Sequence, residues 1–337
     1  MLRSLYSGIS GMKVNQTKLD VIGNNLANVS TTAFKGSRVN FSTTISQTLG
    51  SASAASDSLG GVNGKQVGLG AQIASIDKIM SQGSMQSTSR SLDVAVDGSG
   101  YFMVATGPAL TGGNTDAITI KDNGVENMPA NNSLAYTRDG SFVLDNEGNL
   151  LTSKGYRVLG FAMKSGTNGG NNVDNIDDDG NVLYVESNNK TEAMDDKLVS
   201  LKIPDKVIKN GVKVAVKSFN ISADGLITGV LETGEITALG QIAMSSFKNE
   251  VGLTDIGNNM YEPSGSSGAA IISSGKNSAN RTSSGYGDIL QGYLEMSGVD
   301  MAEQFTDMIV ATKAFQAAGK TITKGDEILS EIINLKR

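Results

Sequence analysis

The chain has 337 residues, room for two or three domains at roughly 150 residues each, and its 28 Lys plus Arg against 34 Asp plus Glu give a net charge of −6. With no long basic run, nucleic acid is not expected as a partner, because phosphate binding needs concentrated positive charge. His and Cys are both absent, which excludes Ser-His-Asp and Cys-His nucleophilic pairs, thiol redox chemistry, disulfides and ordinary zinc sites.

From the N-terminus, Leu2, Leu5, Ile9, Met12, Leu19, Leu26 and Val29 follow steps of three and four or multiples of seven, which predicts a long amphipathic helix with a heptad seam. Gln16 and Gly23 fall on that seam. The opening residues mix Ser, Gly and Lys into what would be an apolar signal core, so no cleaved signal peptide is expected. Membrane insertion is not expected either, since the longest apolar run, Tyr101 to Ala105, is far short of the roughly 20 residues needed to span a bilayer.

Residues 42–70 are rich in Ser, Gly, Ala and Thr and read as a flexible linker. Then β structure is predicted. Leu92–Asp97, a Gly98-Ser99-Gly100 turn and Tyr101–Val104 read as one hairpin, and Ala135–Arg138, Asp139-Gly140 and Ser141–Leu144 as a second. Further strands are expected around the Asn146–Asn149 turn, at Tyr156–Phe161, on both sides of Asp224-Gly225, and at Gln241–Met244. Turn signals every 8 to 12 residues or so point to an all-β sandwich or barrel-like unit. The Gly-, Asn- and Asp-dense interval 164–196 reads as a small insertion at its surface.

Within that interval Asp177, Asp179 and Glu186 fall where a twelve-residue calcium loop places ligands, with Gly180 at the sixth position. Asn175 replaces the first Asp and no helix flanks the loop, so a plain acidic turn is the preferred reading and a weak calcium site the alternative. The glycine-rich loops lack the spacing of a phosphate or dinucleotide site. Pairs such as Glu232 with Glu235, Asp93 with Asp97, or Ser153 with Lys154 have no arguable pocket around them. Neither an enzyme nor a resident cofactor is expected.

A second Ser/Gly-rich stretch, Ser264 to Gly287, precedes the C-terminal pattern. There Met301, Phe305, Met308, Phe315, Ile322, Leu329 and Ile333 repeat the heptad steps, and Asp300 with Glu303 starts a capping box. Thr312, Gly319 and Asp326 interrupt this seam, so both helices should need partners. The expected organisation is a terminal helical domain of residues 1–41 and 288–337, a linker at 42–70, a central all-β domain of 71–163 and 197–287, and an outer insertion at 164–196.

Several blocks carry a resemblance. Leu19 to Asn28 with Asn24, Asn25, Ala27 and Asn28, followed by Phe34 and Lys35, resembles the N-terminal signature of the flagellar rod and hook axial proteins. Leu92 to Phe102, Tyr136 to Gly140, Gly257 to Tyr261, Leu294 to Glu303 and the final Ile332 to Arg337 look like further blocks of that family. Ala33 departs from it, standing where Gly is common, and so do Thr312, Gly319 and Gly325 in the last helix. Phe315, the ending Leu335-Lys336-Arg337, the insertion and the length look more like hook members, with a distal rod subunit as the alternative. The resemblance implies terminal helices paired as a coiled coil inside a tube and a β domain forming its shell. It also implies a subunit that polymerises with itself into a flexible, torque-transmitting universal joint. Implied neighbours are the rod protein, the hook cap, the hook–filament junction proteins and the type III export apparatus, and the implied location is the bacterial flagellum.

Overall fold

The structure is a computed structural model that describes residues 2–54, 60–110, 117–121, 124–129, 131–168, 171–174, 182–187, 193–209, 211–273 and 287–335. The chain divides into two compact units, Met1–Ser81 with Ser297–Arg337, and Gln82–Met296.

The first unit is built on two helices, α1 (Leu2–Ala27) and α2 (Met301–Leu335). The start of α2 follows the expected cap: Asp300 Oδ1 accepts the amides of Ala302 at 2.8 Å and Glu303 at 3.4 Å, satisfying two of the amides that a helix N-terminus leaves without partners. The stretch expected to be a loose linker is instead most of a long two-stranded ribbon. Ser37–Thr43 pairs antiparallel with Ala71–Lys78, Ser46–Gly50 pairs with Lys65–Gly68, and a bridge joins Ser53 to Val62. Its composition hid it, because Ser and Gly read as coil while the ladder of backbone hydrogen bonds needs no particular side chain. α1 supports the ribbon near its middle, where the Ala71 amide reaches Ser10 Oγ at 3.4 Å.

The second unit is a mostly β domain between two terminal helices, so the chain as a whole is mixed and multidomain. Tyr101–Thr106 pairs with Ser133–Thr137, with the start of Arg157–Asn168 and with Met244–Ser246. Arg157–Asn168 also pairs with Ala193–Ser200 and Ile236–Ile242. Phe102, Phe142, Leu150, Val158, Ile227 and Leu239 lie in one buried core. The hairpins around Asn146–Asn149 and Asp224-Gly225 form as expected, with Gly148 at φ 81° and Gly225 at φ 78°. The other two do not. Val94–Asp97 pairs with Asp288–Gln291, and Ser133–Thr137 lies between Tyr101–Thr106 and Met260–Glu262. Gly140 is therefore a crossing point: a methyl group there would lie 1.6 Å from Val94 O.

Part of the interval expected as an outer insertion belongs to this core. Val182 and Val185 are buried, the Tyr184 amide donates to Ile208 O at 2.9 Å, and Ala238 donates to Val185 O at 2.9 Å. The continuous apolar run Val182-Leu183-Tyr184-Val185 draws this segment in, with Val182 and Val185 fully buried and Leu183 and Tyr184 half-buried. Of the second Ser/Gly-rich stretch, Ser264–Ser273 is folded into the unit, with Ser267 buried and Ile271–Ser273 paired to Met244–Ser246; residues 274–286 lie outside the described residues.

Candidate assembly surface

α1 and α2 run antiparallel. Leu5 meets Gly325, Gly8 meets Thr321 and Ile322, Gly11 meets Ala318, and Met12 meets Gly319. Toward the other end Lys18 Nζ lies 3.1 Å from Asp307 Oδ2, and Asn25 Nδ2 donates to Gln304 Oε1 at 3.0 Å. The contact runs through small residues. A methyl group at Gly8 would sit 2.7 Å from Thr321 Oγ1, and one at Gly325 would sit 2.7 Å from Leu5 Cδ2. Ala311 and Gly325 are the buried residues of α2.

This packing rotates α2 relative to the seam read from its large apolar residues. The facing column is Gln304, Ala311, Ala318 and Gly325, one position before the expected 305, 312, 319 and 326. Met308, Ile322 and Leu329 are half-buried beside it, whereas Met301, Phe305, Phe315 and Ile333 are exposed, together with Ile309 and Val310. In α1, Leu5, Met12, Leu19 and Leu26 are half-buried, as is Val29 just beyond it, and Ile9 is exposed; the Leu2 side chain lies outside the described residues. Sequence periodicity ranks large apolar residues as buried. Here glycine and alanine bring the backbones together, which leaves the bulky side chains facing away. The ribbon adds Phe41, Ile45, Leu49, Val62 and Ile76 to the exposed apolar surface. Large exposed apolar patches of this kind are the feature by which interaction sites are sought.

The end of α1 and the residues after it fasten this unit. Asn25 is buried; its Oδ1 accepts the Ser37 amide at 2.9 Å and its Nδ2 donates to Ser37 O at 2.8 Å. One side chain therefore holds α1, the ribbon and, through Gln304, α2. Asn28 Nδ2 donates to Asn24 Oδ1 at 2.8 Å, closing the helix end, while Ala27 is exposed there. The Gly298 amide donates to Phe34 O at 3.1 Å, and the buried Lys35 donates from Nζ to Ser81 O at 2.9 Å. Beside this fastening lies a cavity of about 200 Å³ whose lining includes Lys18, Val21, Ile22, Arg38, Val39, Ile79 and Asp307.

Asp177 and Asp179 lie outside the described residues, while Glu186 is exposed and bridges to Thr237 in the sheet. Among the described residues no cluster of acidic groups is arranged to hold a metal ion, and no helix is long and apolar enough to cross a membrane.

Residues 5–35 match the family described as "Flagella basal body rod protein", residues 124–229 "Flagellar hook protein FlgE/F/G D1 domain", and residues 290–335 "Flagellar basal body rod FlgEFG protein C-terminal". The flagellar basal-body rod protein FlgG of Bacillus subtilis is 41% identical over 338 residues, covering 100% of both chains. The chain belongs to the flagellar rod and hook protein family. FlgG of Borreliella burgdorferi is 33% identical over 339 residues, and the flagellar hook protein FlgE of the same organism is 31% identical over 447, each covering 100% of both chains. Rod and hook proteins are structural components of the flagellum and not enzymes, and the family implies self-polymerisation.

Two blocks by which the sequence resembles rod and hook proteins meet inside the second unit, a contact that sequence spacing could not reveal. Arg138, from Tyr136–Gly140, lies with Nε 3.5 Å from Glu295 Oε2 of the Leu294–Glu303 block, both side chains being buried. Arg138 also donates to Gly98 O and lies 5.6 Å from the Tyr101 ring centre, while Glu295 Oε1 accepts the Gly83 amide at 2.8 Å. Gly83 and Glu295 flank the points where the chain enters and leaves this unit, so the pair fastens its two ends. Burial pushes the Tyr101 phenol above its ordinary range; Glu250, whose Oε2 accepts the Tyr101 hydroxyl at 3.3 Å, adds to this. Burial likewise raises Tyr136 and Tyr261.

Proposed function

We propose that this chain is a distal rod subunit of the flagellar basal body, polymerising with copies of itself through the apolar surface of its first unit. Colinearity carries the rod reading. The rod relatives align over 338 and 339 positions against 337 residues here, whereas the FlgE alignment needs 447, a surplus of 110. The stretch expected as a flexible linker at 42–70 is largely a paired ribbon, which suits a stiff rod subunit. The hook reading keeps support from the end-to-end 31% identity to that FlgE.

In either assembly the intersubunit contacts are those of the terminal helices. Ile9, Met301, Phe305, Phe315 and Ile333 face neighbouring copies, and the half-buried Leu5, Met12, Leu19, Leu26, Val29, Met308, Ile322 and Leu329 complete the packing, with Leu2 at the helix start. Export through the flagellar type III apparatus without a cleaved signal, and end contacts with other rod proteins and with the hook, follow from this reading. Electron microscopy of basal bodies from a strain lacking the protein tests it. The expected image is an incomplete rod; a complete rod ending without a hook would establish the hook subunit instead.

A further inference from the structure

The ribbon of the first unit is not paired along its whole length. Ser46–Gly50 and Lys65–Gly68 are in register as far as Gly50 with Lys65, and pairing resumes only at the bridge between Ser53 and Val62. Asn63 and Gly64 lie in that break, both exposed and outside any strand, as are Ser51 and Ala52 across from them. Among the described residues the Gly64 amide donates no hydrogen bond.

This residue pair has a chemistry of its own. The side-chain amide carbon of an asparagine and the backbone nitrogen of the next residue can close a five-membered ring, and glycine, having no Cβ, obstructs that closure least. A nitrogen whose N–H is held in a hydrogen bond is kept from it. The chain has four Asn-Gly steps, at Asn63, Asn123, Asn168 and Asn210, and Asn63-Gly64 is the one lying wholly within the described residues. Two Asp-Gly steps, to which the same ring is open, are restrained: the Gly98 amide donates to Gln82 Oε1 at 3.0 Å and the Gly225 amide to Ser222 O at 2.8 Å. We infer that Asn63 is a site of spontaneous covalent modification. The Gly64 nitrogen attacks Asn63 Cγ; the new C–N bond forms as the Cγ–Nδ2 bond breaks, and the Gly64 amide proton leaves with the departing nitrogen as ammonia. The succinimide so formed takes up one water and opens to aspartate or isoaspartate, releasing the carboxyl proton to solvent. Either product adds a negative charge beside Val62, which is 55% exposed. The isoaspartyl form also lengthens the backbone by one methylene group, within a ladder whose pairing depends on backbone spacing.

The test incubates the full chain in mildly alkaline buffer without denaturant, beside a synthetic peptide of residues 60–66 as the unrestrained reference. Fragmentation mass spectrometry reads the change from amide to carboxyl at Asn63, and methyl transfer from radiolabelled S-adenosylmethionine by an isoaspartyl methyltransferase reads the isoaspartyl product. Asn63 of the folded chain should convert within about tenfold of the peptide's rate, the slowing that a local opening of about 1.4 kcal/mol imposes. Gly64→Ala should lose both signals at Asn63; its new methyl group would meet nothing nearer than 3.5 Å, so the ribbon is kept. A folded chain that keeps its Asn63 amide while the peptide converts would overturn the proposal, by showing that the ribbon holds Gly64 away. Equal conversion in the Gly64→Ala chain would also overturn it, since access to the nitrogen of residue 64 would then not set the rate. Neither readout involves assembly, so the outcome is independent of the rod reading.

Discussion

The two units use their apolar residues in opposite ways. Among the described residues, the buried apolar side chains of the first unit are Val14, Ile22, Ala33 and Ala311, whereas the second unit buries more than forty. The exposed large apolar residues are concentrated in the first unit, from Tyr6 and Ile9 through the ribbon to Leu335. A hydrophobic core supplies most of the favourable free energy of folding, so the second unit holds its own stability, and in the proposed assembly neighbouring copies complete the first. Packing helices through glycine and alanine is what makes this division possible.

Charge placed on the outward helix face should have the largest effect. Phe305→Asp or Phe315→Asp alters a side chain exposed in the single subunit, so its stability should change by no more than about 0.5 kcal/mol. Assembly should fail outright, because each contact would bury an unpaired carboxylate at several kcal/mol. Sedimentation for polymer and thermal melting for the subunit separate the two effects; a lowered melting temperature together with intact polymer would break the comparison.

Next in size is the buried pair in the second unit. Arg138→Met strands Glu295 and should lower that unit's unfolding free energy by about 3–5 kcal/mol, while adding Glu295→Met should recover most of the loss. Urea denaturation of the single and double variants measures both. Equal destabilisation by the double variant would mean that the surrounding packing matters more than the charge.

Alkaline pH should act selectively on the same unit. Unfolded phenols ionise near pH 10, but burial keeps Tyr101, Tyr136 and Tyr261 protonated above it. The unfolded state then binds fewer protons, so stability falls as pH rises beyond about 10, by about 1.4 kcal/mol per pH unit for each tyrosine. Urea midpoints at pH 9 and 11 show the slope, and Tyr136→Phe should remove about a third of it.

The smallest effect belongs to Ala33, buried at φ 54°, a left-handed conformation that costs a residue with a Cβ about 1 kcal/mol. Ala33→Gly should slow hydrogen exchange at Thr32–Lys35 about fivefold. Faster exchange would show that the buried methyl group outweighs the backbone strain.

The sequence made some of this legible and not the rest, for physical reasons. Both helices, the Asp300 cap and two hairpins were readable because each depends on residues within a few positions of one another. Gly98-Ser99-Gly100 and Asp139-Gly140 carried hairpin chemistry but serve other ends: Gly98 approaches Gly287, Gly140 approaches Val94, and the strands beside them choose distant partners. The Arg138–Glu295 pair was invisible for the same reason. Apolar periodicity places the helix seam one column away on α2 because it cannot rank Ala311 and Gly325 above Phe305 and Phe315. The ribbon has no sequence signature because its order lies in backbone pairing, which Ser and Gly do not mark.

Hydrogen exchange on the isolated subunit and on the polymer tests most directly whether the first unit is completed only by its neighbours. The account predicts fast exchange in α1, α2 and the 37–78 ribbon of the free subunit, slow exchange there in the polymer, and slow exchange in the core strands of the second unit in both. Equal protection of α1 and α2 in free subunit and polymer would contradict it.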